Sequence, residues 1–173
     1  MNDYIDFMQP LQNELAHRPI QRWADLGCGS GVFTEALATI LPAGSTILAI
    51  DKNEQQLPPV SGKHVAVQFI QADFETQLPD IYPLDGILIA NALHYVREKG
   101  KFIESLEHFF SKQNHFIIAE YETDIANNWV PFPISFERLT KLFQSFGYDS
   151  INKVNTRTSI YGGSMYLTRI TKR

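Results

Sequence analysis

The chain has 173 residues, 44% hydrophobic and 20% charged, which suits one globular domain with a real core and leaves too little for two. A formal net charge of −4 disfavours nonspecific nucleic-acid binding, which runs on basic surface. Cys28 is the only cysteine, so neither a disulfide framework nor a thiolate metal cluster fits one chain. No apolar run approaches a membrane span, and the acidic start Met1-Asn2-Asp3-Tyr4-Ile5-Asp6 does not read as a secretory signal. The expected compartment is the cytoplasm, with neither nucleic acid nor membrane as a partner.

In chain order, Tyr4, Ile5, Phe7, Met8, Leu11 and Leu15 recur at helical spacing before Arg18-Pro19 breaks the run. They predict one amphipathic helix within residues 1–18, lying over the sheet. Residues 21–26 read as a buried strand that ends at Gly27-Cys28-Gly29-Ser30-Gly31. Val32, Phe33, Ala36, Leu37 and Ile40 then mark a helix that stops at Pro42-Ala43-Gly44. Further strands are expected over 45–50, 65–70, 85–90 and 115–121, with room for only a short helix before Leu57-Pro58-Pro59. Phe102, Ile103, Leu106, Phe109 and Phe110 form one helical stripe. Ser135 caps another helix, with Phe136, Leu139, Phe143 and Phe146 on its inner face and Gly147 at its end. Residues 148–155 and 164–170 alternate apolar and polar side chains, with Tyr161-Gly162-Gly163 between them. Strands alternating with helices mean an α/β fold. The expectation is one domain over 1–173: a Rossmann-like, doubly wound, mostly parallel seven-stranded sheet with helices on both faces and an antiparallel last strand.

The chemistry starts at Asp25-Leu26-Gly27-Cys28-Gly29-Ser30-Gly31. Alternate glycines permit positive φ and let a ligand approach bare backbone. The turn also presents free N–H groups at the start of a helix. Asp25, a carboxylate ending an apolar strand, is expected to accept from the turn's own N–H groups. Cys28 reads as a small residue in a tight turn rather than a nucleophile. In a doubly wound sheet ligands sit beyond the carboxyl ends of the strands. Asp51, at the second tip, can accept from both hydroxyls of a ribose there. The dinucleotide fingerprint Gly-x-Gly-x-x-Gly would need a glycine where this chain has Val32, which counts against an NAD-dependent oxidoreductase.

The glycine segment resembles the first motif of the class I S-adenosylmethionine-dependent methyltransferases. The resemblance implies S-adenosyl-L-methionine as cofactor and S-adenosyl-L-homocysteine as product. Its binding positions here are Asp25, Gly27, Cys28, Gly29 and Gly31 in the turn and Asp51 on the ribose. Lys52 falls against the adenine, Asp73 accepts from the adenine amino group, the Phe74 N–H meets the ring, and Asn91 lies beside the methionine moiety. The segment Asn91-Ala92-Leu93-His94-Tyr95-Val96 would face the substrate. It lacks the Asn/Asp-Pro-Pro-Tyr/Phe signature of enzymes that methylate exocyclic base amines or glutamine amides.

The sulfonium is already a reactive donor, so in-line displacement needs mainly alignment, plus a base where the nucleophile carries a proton. His94 is the first candidate base, because imidazole ordinarily titrates near neutrality. Tyr95 and Glu120 are the other candidates, and a His94 that merely packs is the competing reading. The substrate mouth is expected from the loop holding Trp129 and Phe132 and from the turn holding Arg157 and Tyr161, with Glu120 nearby. His17, His64, His108 and His115 are scattered and suggest no metal site. The expected acceptor is a nitrogen or oxygen of a small molecule, on a monomer or homodimer. The rivals are a cofactor-binding scaffold without turnover and, behind it, the oxidoreductase.

Overall fold

The structure, a computed structural model, describes residues 2–58 and 64–172. Seven strands form one sheet in the order β3-β2-β1-β4-β5-β7-β6. They are β1 (Arg22–Leu26), β2 (Thr46–Asp51), β3 (Ala66–Gln71), β4 (Gly86–Ala90), β5 (His115–Tyr121), β6 (Ser150–Thr158) and β7 (Ser164–Thr171). The first five pair in parallel, and β7 runs antiparallel between β5 and β6. Strand order reverses between β1 and β4, so the crevice of a doubly wound sheet opens where those two strands end.

Alternate side chains feed two cores, as the pleat requires. On β4, Ile87 and Ile89 join one cluster, and Leu88 and Ala90 join the other. The first cluster is closed by α4 (Lys99–Leu106) and α5 (Phe136–Ser145), through Phe102, Ile103, Leu106, Leu139 and Phe143. The second is closed by the N-terminal segment and α3 (Val32–Ile40), through Phe7, Met8, Leu11, Leu15, Phe33 and Leu37. Ser135 caps α5, its Oγ accepting from the Arg138 N–H, and Gly147 follows the helix at φ 81°.

The N-terminal segment departs from the expected single helix. It is α1 (Asp3–Met8), a 3-10 turn at Gln9–Leu11, and α2 (Gln12–Leu15). Pro10 brings no N–H and cannot continue an α-helix from the preceding turn. Burial of Phe7, Met8, Leu11 and Leu15 still holds the segment on the sheet. No helix forms over 52–58; Pro59 and the residues through 63 lie outside the described residues. The aromatic stripe also splits, since α4 ends at Leu106 and Phe109 belongs to a 3-10 turn. Among the described residues no helix is long and apolar enough to cross a membrane.

One packing contact ties β1 to β4 beneath the crevice. Trp23 is fully buried and pairs in register with Gly86. A Cβ on Gly86 would stand 2.4–2.5 Å from three indole carbons. Gly86→Ala is therefore expected to destabilise the fold by about 1–3 kcal/mol, as an overpacked core position does. Urea unfolding measures it, and an unchanged midpoint would show that the indole moves freely.

Candidate active site

The carboxyl ends of β1 to β5 share one edge, and backbone hydrogen bonds stitch the tips together. The Gly27 and Cys28 N–H groups donate to the Ile50 carbonyl (2.8 and 3.0 Å), Ala72 N–H to the Asp51 carbonyl (3.0 Å), and Asn91 N–H to the Ala119 carbonyl (2.8 Å). Gly27, Gly29 and Gly31 all have positive φ (77°, 49° and 82°), the left-handed region that glycine enters without cost. A Cβ on Gly27 would lie 2.6 Å from the Ala92 Cβ, so the β1 and β4 loops touch at the crevice floor. Above Gly29, among the described residues, nothing beyond its chain neighbours stands within 4 Å of where a Cβ would be. Bare backbone faces open space there, beside the Asp51 carboxylate.

Asp51 accepts from the Gly29 N–H through Oδ2 (2.9 Å) and from the Asn53 N–H through Oδ1 (2.9 Å). Two bonds use half of a carboxylate's acceptor sites, and ribose hydroxyls can use the rest. Asp73, on the next tip, accepts from the Glu75 N–H (3.0 Å) through Oδ1. The Phe74 ring packs over Gly27, 3.1 Å from the position of a Cβ. Lys52 is exposed, and its carbonyl accepts from Gln71. Gly31 is overlaid by the Leu57 side chain, 2.8 Å from a Cβ there.

Asp25 takes a different place from the one expected. The Gly27 and Cys28 N–H groups go to the Ile50 carbonyl, the Gly29 N–H to Asp51 and the Gly31 N–H to the Cys28 carbonyl, and Asp25 accepts instead from the Thr34 hydroxyl (2.6 Å), tying β1 to the first turn of α3. It is 1% exposed, so it supports the turn from below. Burial pushes its carboxyl up to about 7, opposed by the Thr34 hydrogen bond and reinforced by the Asp51 charge. Burial also pushes the Cys28 thiol up to about 12, with the Asp25 and Asp51 charges adding to it, so it does not act as a thiolate.

Beyond the ends of β4 and β5 lies a cavity of about 770 Å³, within the size range of small-molecule sites. His94, Tyr95, Tyr121, Trp129, Tyr161 and Asn91 line it. His94 is buried on a 3-10 turn at Leu93–Tyr95. Its Nδ1 meets Glu120 Oε2 at 2.8 Å, and its backbone N–H donates to Glu120 Oε1 at 3.1 Å. With Nδ1–H donating to Glu120 Oε2, Nε2 is the ring nitrogen left to accept. Among the described residues nothing hydrogen-bonds Nε2. Asn91 adopts φ 51°, and its buried Oδ1 has no hydrogen-bond partner among the described residues.

Three expected substrate residues lie elsewhere. Glu120 is 1% exposed and serves His94 rather than the cavity. Phe132 is not among the lining residues; its N–H donates to the His94 carbonyl (2.9 Å), and Arg97 covers its ring at 5.0 Å. Arg157 lies over the rings of Tyr4 (4.6 Å) and Phe7 (5.9 Å), since β6 is the edge strand that α1 leans on. Tyr4 in turn stacks on Phe33 at 4.3 Å, next to the glycine turn. Sequence reasoning passed over Tyr121, whose ring is 5.8 Å from His94. Its place at the tip of β5 was the available signal. Burial raises its phenol above the usual range, with Tyr4, Glu120, Tyr161 and Tyr95 contributing.

The sheet order, the antiparallel β7 and the glycine turn facing Asp51 define the Rossmann-like fold of class I methyltransferases. Residues 21–147 match the family described as methyltransferase domain. The chain belongs to that family. Trans-aconitate 2-methyltransferase of Paracidovorax citrulli (strain AAC00-1) is 33% identical over 87 residues, covering 49% of this chain and 33% of its own length. The chain thus spans about a third of the curated relative it matches. Among solved structures, magnesium protoporphyrin IX methyltransferase from Synechocystis PCC 6803 with bound SAM has a TM-score of 0.69 at 14% identity, over 99% of this chain and 79% of that one. The Burkholderia thailandensis 1,6-didemethyltoxoflavin-N1-methyltransferase, with 1,6-didemethyltoxoflavin and S-adenosylhomocysteine bound, has a TM-score of 0.69 at 16% identity, over 99% and 77%. At such identities the likeness is one of fold.

Proposed function

We propose that this chain transfers a methyl group from S-adenosylmethionine to a nitrogen or oxygen of a small-molecule acceptor. One observation carries the reading: bare backbone at Gly29, the Asp51 carboxylate and Asp73 occupy adjacent strand tips on the edge where the Asn91–His94 cavity opens. Solved structures of the same fold with SAM or S-adenosylhomocysteine bound support it.

In this reading Gly29 and Gly27 offer backbone, Asp51 the ribose acceptors and Asp73 the adenine contact, with Lys52 and Phe74 flanking the base. Asn91 separates the cofactor from the acceptor cavity. When bound, S-adenosylmethionine supplies an electrophilic methyl group on a sulfonium. The protein's share is orientation of the acceptor, which can lower such a barrier by up to about 7–11 kcal/mol. His94 accepts the acceptor's proton at Nε2, and Glu120 stabilises the imidazolium that forms. Tyr95 and Tyr121 close the cavity around the imidazole, with ring centroids 4.3 and 5.8 Å away.

A scaffold that keeps the fold without turnover is the second reading. The His94–Glu120 pair weighs against it, because burying an ionisable pair beside a cavity is costly and a simple packing role does not require it. Calorimetry with S-adenosylhomocysteine is the direct test, with binding expected. Absence of heat, together with tight binding of NAD, would overturn the proposal. Labelled S-adenosylmethionine offered with a metabolite panel then separates enzyme from scaffold.

A further inference from the structure

We infer that the acceptor is a planar aromatic molecule, neutral or cationic, that presents an O–H or ring N–H to His94. The inference rests on the methyltransferase reading and deepens it.

The walls are the first reason. Tyr95, Tyr121, Trp129 and Tyr161 all face the cavity. Trp129 is 81% exposed, Tyr161 83% and Ile125 80%, and all three stand on the same rim. Large apolar side chains left in water and gathered at one mouth mark a binding surface. Flat, stiff rings offer stacking faces to a flat ligand at low cost in side-chain entropy.

Charge is the second. No lysine or arginine is among the described lining residues. The one charged group there, Glu122, already accepts from Lys153 Nζ (2.7 Å) and the Phe136 N–H (2.8 Å). Of the neighbouring cations, Arg157 lies on Tyr4 with its buried Nη1 lacking a hydrogen-bond partner among the described residues, Arg97 covers Phe132, and Lys99 donates to the Val96 and Phe132 carbonyls. A polycarboxylate would leave water here without a counter-charge, which is costly.

The third reason is polarity. Asn91 Oδ1 is a buried acceptor without a donor among the described residues, and His94 Nε2 is the ring nitrogen left to accept when Nδ1 pairs with Glu120. Two acceptors on one cavity match a ligand that donates hydrogen bonds. A carboxylate acceptor, already ionised at neutral pH, has no proton to give them and needs no base. The step balances as follows. The acceptor's O–H or N–H proton passes to Nε2, and the acceptor's electron pair forms the bond to the methyl carbon. The carbon–sulfur pair remains on sulfur as a neutral thioether, and the imidazolium later loses its proton to water. Glu120 acts as a positioning residue throughout.

The test uses the full chain. S-adenosylhomocysteine binding is measured first; its failure sinks the methyltransferase reading itself. With that binding in hand, 2-naphthol and tricarballylate are compared for binding to the loaded protein and for methylation from labelled S-adenosylmethionine. The naphthol is expected to bind and be methylated, and tricarballylate to do neither. Trp129→Ala with Tyr161→Ala is expected to weaken naphthol binding about tenfold while S-adenosylhomocysteine affinity holds. His94→Gln is expected to slow 2-naphthol by about 100-fold or more, and to slow a nitro-naphthol already ionised at the assay pH far less. Glu120→Gln should show the same asymmetry, with circular dichroism and S-adenosylhomocysteine affinity reporting on its fold. Preference for tricarballylate, no binding of the naphthol, or equal loss with both naphthols in the His94 variant would each overturn the inference.

Discussion

Asp25→Asn is expected to stabilise the protein increasingly as pH rises from about 4 to about 7, gaining about 1 kcal/mol per pH unit and roughly 3–4 kcal/mol by the upper end. The native carboxyl is pushed from 3.8 to about 7 because it is buried with one neutral hydrogen-bond partner, Thr34, and faces the Asp51 charge. A carboxyl whose folded value is raised contributes most below its unfolded value, and that contribution is lost as pH rises through the folded one. The amide keeps the shape and the Thr34 hydrogen bond and never ionises. Its advantage over the native chain should therefore vanish below pH 4 and level off above pH 7. His115 runs the other way. Burial, with Arg18 and Arg169 nearby, pushes its imidazole down to about 3, so its contribution is lost as pH falls from 6.5 toward 3. Both proteins carry His115, so its slope cancels in the difference. Urea unfolding of the two proteins across pH measures the effect, and parallel curves would show that Asp25 is not strained by ionisation.

Asp51→Ala is expected to weaken S-adenosylhomocysteine binding by about 1.5–3 kcal/mol, or roughly 10–150-fold, the range for a hydrogen bond to a charged group. Loss of the proposed ribose contact is the direct term. A second term comes from the turn, because the Gly29 and Asn53 N–H groups lose the oxygens they now reach at 2.9 Å. Asp51→Asn separates the two: its amide oxygen can still serve one of those donors, so its loss should be intermediate. Calorimetry gives both constants, and a native dissociation constant in the alanine variant removes Asp51 from the site.

Much of this candidate site is local in the chain, at strand ends that the sequence marks. The glycines of the β1 turn, Asp51 and Asp73 each follow a strand recognisable from its apolar run, and parallel strands place all their carboxyl ends on one edge. The Asn91–Tyr95 segment obeys the same rule. The residues set apart from the cavity are those whose partners come from far along the chain. Arg157 lies by sequence near Tyr161 on the way into β7, yet α1 captures it through Tyr4 and Phe7. Phe132 sits close to Trp129 in sequence, yet its N–H bonds to the His94 carbonyl and its ring goes under Arg97. Glu120 could be placed at a strand tip, but nothing local says that it points beneath His94, 26 positions earlier.

By itself the order of residues determined the strand–helix alternation, the glycine turn, the acidic tips and the family. Hydrophobic periodicity and backbone freedom are properties of short stretches, legible without knowing what lies across the sheet. Only the packed fold decided that Gly86 must stay bare beneath Trp23, that Asp25 answers to Thr34, and that His94 and Glu120 form one buried pair. Those facts depend on which distant surfaces meet, and desolvation and steric fit act only once they have met.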